Sequence, residues 1–70
     1  MSIEQNESLS KLTKREIEIA MLILEGESNK TISRKLDIKT TTVSTYKRLI
    51  FLKLGINSEI ALYKIFKETV

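Results

Sequence analysis

Cysteine, histidine and proline are absent from this sequence of 70 residues, and only two glycines occur in it. Without cysteine there is no disulfide and no thiolate ligand, and without histidine the commonest zinc ligand is also missing. No apolar run approaches the roughly 20 residues that a membrane-spanning helix needs. The polar start, residues 1–10, does not resemble a signal peptide. We therefore expect a cytoplasmic protein with no metal, no cofactor and no membrane partner.

The same absences argue against an enzyme. Neither a Ser-His nor a Cys-His arrangement can form, so no catalytic residue is assigned. The acidic residues near the start are better explained by helix capping and solvation than by paired catalysis. A chain of this length makes one domain, which buries only about 60% of the surface that its unfolded form exposes.

The charge is unevenly distributed along the chain. Residues 1–27 carry three basic and six acidic side chains, whereas Ser28–Leu54 carries seven basic side chains and one acidic one. A basic block inside a folded segment suits a polyanion such as a nucleic acid. Charge alone also fits a solvated lysine face, so it does not distinguish the two interpretations.

Helices are the expected secondary structure, because no alternating strand pattern occurs. Residues 1–11 lack periodicity and are predicted to form a flexible arm, followed by one domain over residues 12–70. Four helices are predicted in an all-α fold: residues 14 to about 25, Asn29–Leu36, Thr40–Leu54, and a fourth that Asn57 or Ser58 caps and that runs to about residue 68.

Capping residues mark the predicted helix ends. Thr13 and Glu16 have the spacing of a capping box, and Ser28 has a suitable side chain to cap the second helix. Gly26 stands where a left-handed residue ends the first helix. Thr40 is expected to cap the third helix.

The third helix has apolar residues at three- and four-residue steps, which predict one buried stripe: Val43, Tyr46, Leu49, Ile50 and Leu54.

The segment Asn29–Leu54 is a helix, a three-residue turn and a longer helix. This is the helix-turn-helix arrangement, in which the second helix enters the major groove of DNA. Its outer face presents short polar and basic residues, which can contact phosphates and base edges: Thr41, Thr42, Ser44, Thr45, Lys47 and Arg48. Asn29 and Lys30 begin the preceding helix and can hold a second phosphate.

Several of these residues have a second interpretation. Thr and Ser at a helix start are ordinarily caps, although only one of four can fill that role. Tyr46 has the spacing of a core residue, and its hydroxyl can still reach a phosphate. Lys53 fits either a charge favoured by the helix dipole or a phosphate contact.

The combined pattern resembles the LuxR-type helix-turn-helix, also called the FixJ or GerE type. The resemblance covers roughly residues 12–66 and rests on fixed spacings among Leu12–Glu16, Gly26, Ser28–Lys30, Ile32, Leu36, Ile38, Thr42–Val43 and Lys53–Gly55. The stretch Thr42–Lys47 looks especially like the version in the BvgA and EvgA response regulators. Lys39, Ser44 and Glu59 depart from the family, which often has Ser, a basic residue and Arg at these positions.

The resemblance implies a four-helix domain that binds double-stranded promoter DNA, usually as a homodimer. Base contacts would fall on Ser44, Thr45 and Arg48. Contacts to the DNA backbone would fall near Asn29, Lys30, Thr42, Tyr46 and Lys47. The family's dimerisation surface would fall on the fourth helix, at Ile60, Leu62, Tyr63, Phe66 and Lys67.

Two hypotheses for function follow. The first is a sequence-specific bacterial transcription regulator, either standing alone or as the effector domain of a longer protein; the Met1 start favours a natural beginning. The second is an interaction module that binds another regulator or RNA polymerase. The first helix raises the second hypothesis, because Ile17, Met21 and Leu24 form an apolar arc nearly opposite the core-facing one. Residues Ile3 and Leu9 of the arm are the alternative cover for that arc.

Overall fold

The computed structural model describes residues 9–69, with side chains to residue 68. Within residues 9–69 the structure has four helices of eight residues or more: α1 Lys14–Leu24, α2 Asn29–Leu36, α3 Thr40–Leu54 and α4 Glu59–Thr69. The all-α, four-helix prediction is confirmed. Residues 1–8 of the predicted arm lie outside the described residues, and the boundary at residue 12 stays a prediction. No helix within residues 9–69 is long and apolar enough to cross a membrane.

Side-chain caps explain where three helices begin. Thr13 accepts a hydrogen bond from the Glu16 amide at 3.1 Å, and the Glu16 carboxylate accepts one from the Thr13 amide at 2.8 Å. This is the predicted capping box. Ser28 caps α2 by accepting from the Thr31 amide at 3.2 Å. Of the two candidates for α4, Ser58 is the cap, since its hydroxyl accepts from the Ala61 amide.

The predicted cap of α3 is wrong. Thr40 is already the first helical residue, and the N-cap position belongs to Lys39, whose backbone is extended and whose side chain makes no capping bond. The physical reason is that a lysine side chain has donors but no acceptor for the free amides. The first turn of α3 therefore begins without a side-chain cap.

Left-handed residues end the first three helices. Gly26 follows α1 with φ +88°, and Gly55 follows α3 with φ +68°. Asp37 follows α2 with φ +57°, a conformation that aspartate adopts more readily than most side chains. The turn from Asp37 to Lys39 is thus as short as the sequence predicts, and it sets α3 directly against α2.

The core lies where α3 contacts α1 and α2 and where α4 contacts α1. Its buried side chains are Leu12, Ile19, Ala20, Ile23, Ile32, Val43, Ile50 and Leu62.

Two predictions about buried residues need correction. Leu49 was expected in the buried stripe of α3, but it is 38% exposed, because Val43 and Ile50 occupy the centre of the contact. Leu62 was expected on a dimerisation surface, but it has no exposed area and packs in the core.

A partly buried ion pair joins the start of α1 to the end of α3. The Lys53 ammonium group lies 2.8 and 2.9 Å from the two carboxylate oxygens of Glu16, whose side chain is almost fully buried. Lys53 is therefore a structural residue. The sequence offered two roles for it, a charge favoured by the helix dipole or a phosphate contact, and neither included this pair with Glu16. Glu16 is likewise a buried structural carboxylate and not a solvated one.

The surroundings of Glu16 shift its titration. Burial alone would raise the pKa of this carboxyl group, but the hydrogen bonds from Lys53 and Thr13, together with the lysine charge, outweigh burial and lower the pKa. Because the charged form is favoured in the folded state, the interaction stabilises the domain at neutral pH.

The second apolar arc of α1 is only partly open. Ile17 and Leu24 are half-buried and pack against the core, as does Leu9 from the end of the predicted arm. Met21 is 51% exposed. Leu9 thus packs on the core cluster, and its predicted role as a cover for this arc stays a prediction. Ile3 lies outside the described residues.

Candidate nucleic-acid interface

The N-terminal half of α3 presents a polar face to solvent. Thr41, Ser44, Thr45 and Arg48 are all exposed, and they recur at three- and four-residue steps on the side away from buried Val43. The packing of α3 on α1 and α2 fixes which side faces outward. The predicted base-contacting residues Ser44, Thr45 and Arg48 therefore share one accessible surface.

A hydrogen bond ties this face to the start of α2. The Asn29 amide nitrogen donates to the Ser44 hydroxyl at 3.0 Å. Lys30, beside Asn29, is exposed, and the described residues give its side chain no carboxylate partner. Asn29, a predicted backbone-contacting residue of α2, thus meets Ser44, a predicted base-contacting residue of α3.

Part of the Thr45 side chain is engaged within its own helix. Its hydroxyl donates to the Thr41 carbonyl at 3.0 Å, and its oxygen lone pairs and methyl group stay available to a ligand. Two other predicted contact residues are less accessible than Ser44, Thr45 and Arg48. Tyr46 is half-buried and packs against the core, as its spacing indicated. Thr42 is also half-buried.

Lys47 is held by an acid that the sequence pattern did not pair with it. Its ammonium group lies 2.7 Å from a carboxylate oxygen of Glu59, in the first turn of α4. The sequence shows Glu59 only as a departure from the family's arginine. In the structure Glu59 forms a salt bridge with Lys47.

Ion pairs reduce the positive charge that the block Ser28–Leu54 can offer. Three of its seven basic residues are paired with acids outside the block: Lys35 with Glu27, Lys47 with Glu59, and Lys53 with Glu16. The other four have no carboxylate partner within residues 9–68: Lys30, Arg34, Lys39 and Arg48. All four are exposed, so they are the cations best able to meet phosphates.

Two of these free cations were missed as candidates. Lys39 lies at the N-cap position of α3, beside the exposed Thr40 and Thr41. Arg34 lies in the last turn of α2. Their only signal in the sequence is basic charge, which they share with the paired lysines. The paired lysines find their acids 8, 12 and 37 residues away in the chain, outside the block. The spacing of residues within the block therefore does not reveal which lysines are free.

The predicted dimerisation helix presents an open apolar surface. Ile60 is 70% exposed and Tyr63 53% exposed. The ammonium group of Lys67 lies 5.9 Å from the centre of the Tyr63 ring, and Phe66 is half-buried beside them. Shallow grooves run between these residues and Leu24 at the end of α1. Except for Leu62, the predicted surface residues of α4 are therefore accessible.

The chain belongs to the LuxR family of bacterial regulatory proteins, whose GerE family model matches residues 10–66. DNA-binding transcription regulation is the general function of this class of domain, and it is not an enzymatic one. The predicted LuxR-type resemblance is confirmed, while the likeness to BvgA and EvgA stays a prediction.

Curated relatives support the same class. The chain is 42% identical over 57 residues to the response regulator GacA of Pseudomonas viridiflava, covering 81% of this chain and 27% of that protein. It is 46% identical over 50 residues to the monoamine regulon transcriptional regulator of Klebsiella aerogenes, covering 71% and 22%. It is 46% identical over 48 residues to the oxygen regulatory protein NreC of Staphylococcus aureus, covering 69% and 22%. No solved structure matches the chain significantly.

The chain spans only about a quarter of the length of these relatives. The matched part is the helix-turn-helix region, because the family model covers α1, α2, α3 and most of α4.

Proposed function

We propose that this domain binds double-stranded promoter DNA with α3 in the major groove, as part of a sequence-specific regulator of bacterial transcription. The observation that carries the proposal is the exposed face of α3, where Ser44, Thr45 and Arg48 point away from a core that fixes the helix. The major groove is about 12 Å wide and accepts one helix of this kind.

Each part of the face has a separate task in this proposal. Arg48 can donate two hydrogen bonds to the edge of a guanine, and the Thr45 methyl group can contact a thymine methyl. The Ser44 hydroxyl, held by Asn29, keeps its own proton to donate to a base or phosphate. The free cations Lys30, Arg34 and Lys39 supply backbone contacts that position α3 but read no sequence.

We also propose that two copies pair through α4 on DNA. The exposed Ile60 and Tyr63, continuous with Phe66 and Lys67, support a self-complementary apolar contact. Pairing would place two α3 helices on successive turns of one duplex face, about 34 Å apart. Two modest base-contacting surfaces would then act together.

A salt titration tests DNA binding. Fluorescence anisotropy with labelled duplexes between about 50 and 200 mM salt should give a log-log slope near −2.7 per domain, if Lys30, Arg34 and Lys39 each meet a phosphate. Sedimentation of the same mixtures should show two domains on each specific site. The absence of binding to any duplex at low salt, or binding without a salt slope, would rule out the proposal.

A protein partner is the second proposal, favoured by the same exposed surface of α4. Ile60 and Tyr63 can bind another regulator or RNA polymerase in place of a second copy. Replacing both Lys47 and Arg48 with glutamate separates the proposals. That variant should lose DNA binding and keep a protein complex formed through α4.

A further inference from the structure

The ion pair between Lys47 and Glu59 lies beside the proposed DNA-binding face. Lys47 lines a shallow open groove that Ser44 and Arg48 also line, together with apolar side chains of α3 and the loop before α4. The lysine therefore borders the same surface as two predicted base-contacting residues. Its ammonium nitrogen nevertheless donates a hydrogen bond to a carboxylate oxygen of Glu59 at 2.7 Å.

Local structure places Glu59 at the start of α4. Ser58 caps α4, and Glu59 follows in the first turn, where the helix dipole favours an acidic side chain. The Glu59 side chain is half-exposed, and two-thirds of the Lys47 side chain is covered. A carboxylate at a helix N-terminus thus faces a lysine whose stem is mostly covered.

We infer that Glu59 withholds Lys47 from the DNA backbone and so limits the affinity of the domain for DNA. The inference rests on the proposed DNA-binding function and concerns the strength of binding, not its location. Removing the acid would free one cation beside Arg48. It would also remove a negative charge from a surface that must approach phosphates.

The test uses four proteins and a short fluorescein-labelled duplex of mixed sequence: wild type, Glu59→Gln, Lys47→Met and the double variant. Affinity is measured by anisotropy between about 50 and 200 mM salt. Glu59→Gln should bind roughly five-fold more tightly near 0.1 M salt, and its log-log slope should steepen by about 0.9, the value for one added phosphate contact. The double variant should return to the wild-type slope, because the released lysine is missing. Lys47→Met should also keep that slope.

Glu18→Gln is the matched control. It makes the same change in net charge and also releases a basic side chain, Arg15, from an ion pair of 3.6 Å. Arg15 lies on α1 next to Glu16, which pairs with Lys53 at the C-terminal end of α3. The slope of this variant should stay at the wild-type value. Thermal unfolding confirms that each variant is folded at the temperature of the assay.

The outcomes separate this inference from the proposed function. Wild-type binding with an unchanged slope in Glu59→Gln would overturn the inference alone. A steeper slope that persists in the double variant would also overturn it, since Lys47 would not be the added contact. If the wild type binds no duplex at low salt, the proposed function fails and this inference fails with it.

Discussion

Replacing Glu16 with alanine is expected to destabilise the domain by about 2–4 kcal/mol. The change removes the carboxylate that pairs with Lys53 and also one half of the capping box with Thr13. A domain of this length has a total stability on the order of 5 kcal/mol, so the loss is a large part of it. Urea unfolding followed by circular dichroism measures it directly.

Glu18→Ala is the matched control on the same helix. Glu18 is exposed and lies 3.6 Å from Arg15 in a surface ion pair, an interaction worth at most about 1 kcal/mol. Glu18→Ala should therefore change the free energy of unfolding by no more than about 1 kcal/mol. Equal effects of the two alanine variants would contradict the structural role of Glu16.

The same residue gives the effect a pH dependence. Because the folded-state pKa of Glu16 lies below the ordinary value of 4.5, its contribution is fully present above that pH. The contribution is lost as the pH falls through the lowered folded-state pKa. The difference in stability between the wild type and Glu16→Gln should thus be constant near neutrality and shrink below about pH 4.5.

Reversing the charge of Arg48 is expected to weaken specific DNA binding about 100-fold, which corresponds to about 2.7 kcal/mol. The variant Arg48→Glu loses a two-pronged guanine contact worth about 1–3 kcal/mol and places a carboxylate beside the phosphates. Arg48 is exposed and has no carboxylate partner among the described residues. Its replacement should leave thermal unfolding nearly unchanged. Anisotropy with a selected duplex measures the affinity.

Arg15→Glu makes the same change in net charge on α1. Arg15 is next to Glu16 in the chain, and Glu16 pairs with Lys53 near the C-terminal end of α3. Arg15 therefore lies near that end of α3 and away from Thr41 at the other end. Its reversal should lower DNA affinity by less than about three-fold, through the general field alone. If Arg15→Glu and Arg48→Glu weaken binding equally, binding depends on net charge and not on the proposed face.

The fold could be predicted from the sequence because its signals are local. Thr13 and Ser28 cap helices within three residues, and Gly26 and Gly55 end them. Each such device acts within one turn of the chain, so spacing reveals it. The error at Thr40 is also local, since Lys39 has no acceptor to mark the N-cap position.

The state of each charged side chain could not be predicted in the same way. Lys47 and Lys53 have the same charge as Arg48 and lie on the same helix, but α4 and α1 bring acids to the two lysines. Leu62 was likewise assigned to the surface, because an apolar residue in α4 fits a dimer contact as well as a core. Both questions depend on packing between helices far apart in the chain.

The most direct test of the account is an amide NMR titration of the domain with a selected duplex. If α3 enters the major groove, the largest shift changes and line broadening will fall on Asn29–Lys30 and Thr41–Arg48, with Ile19 and Ile23 of the core little affected. Changes concentrated on Ile60–Lys67, with the α3 amides undisturbed, would contradict it.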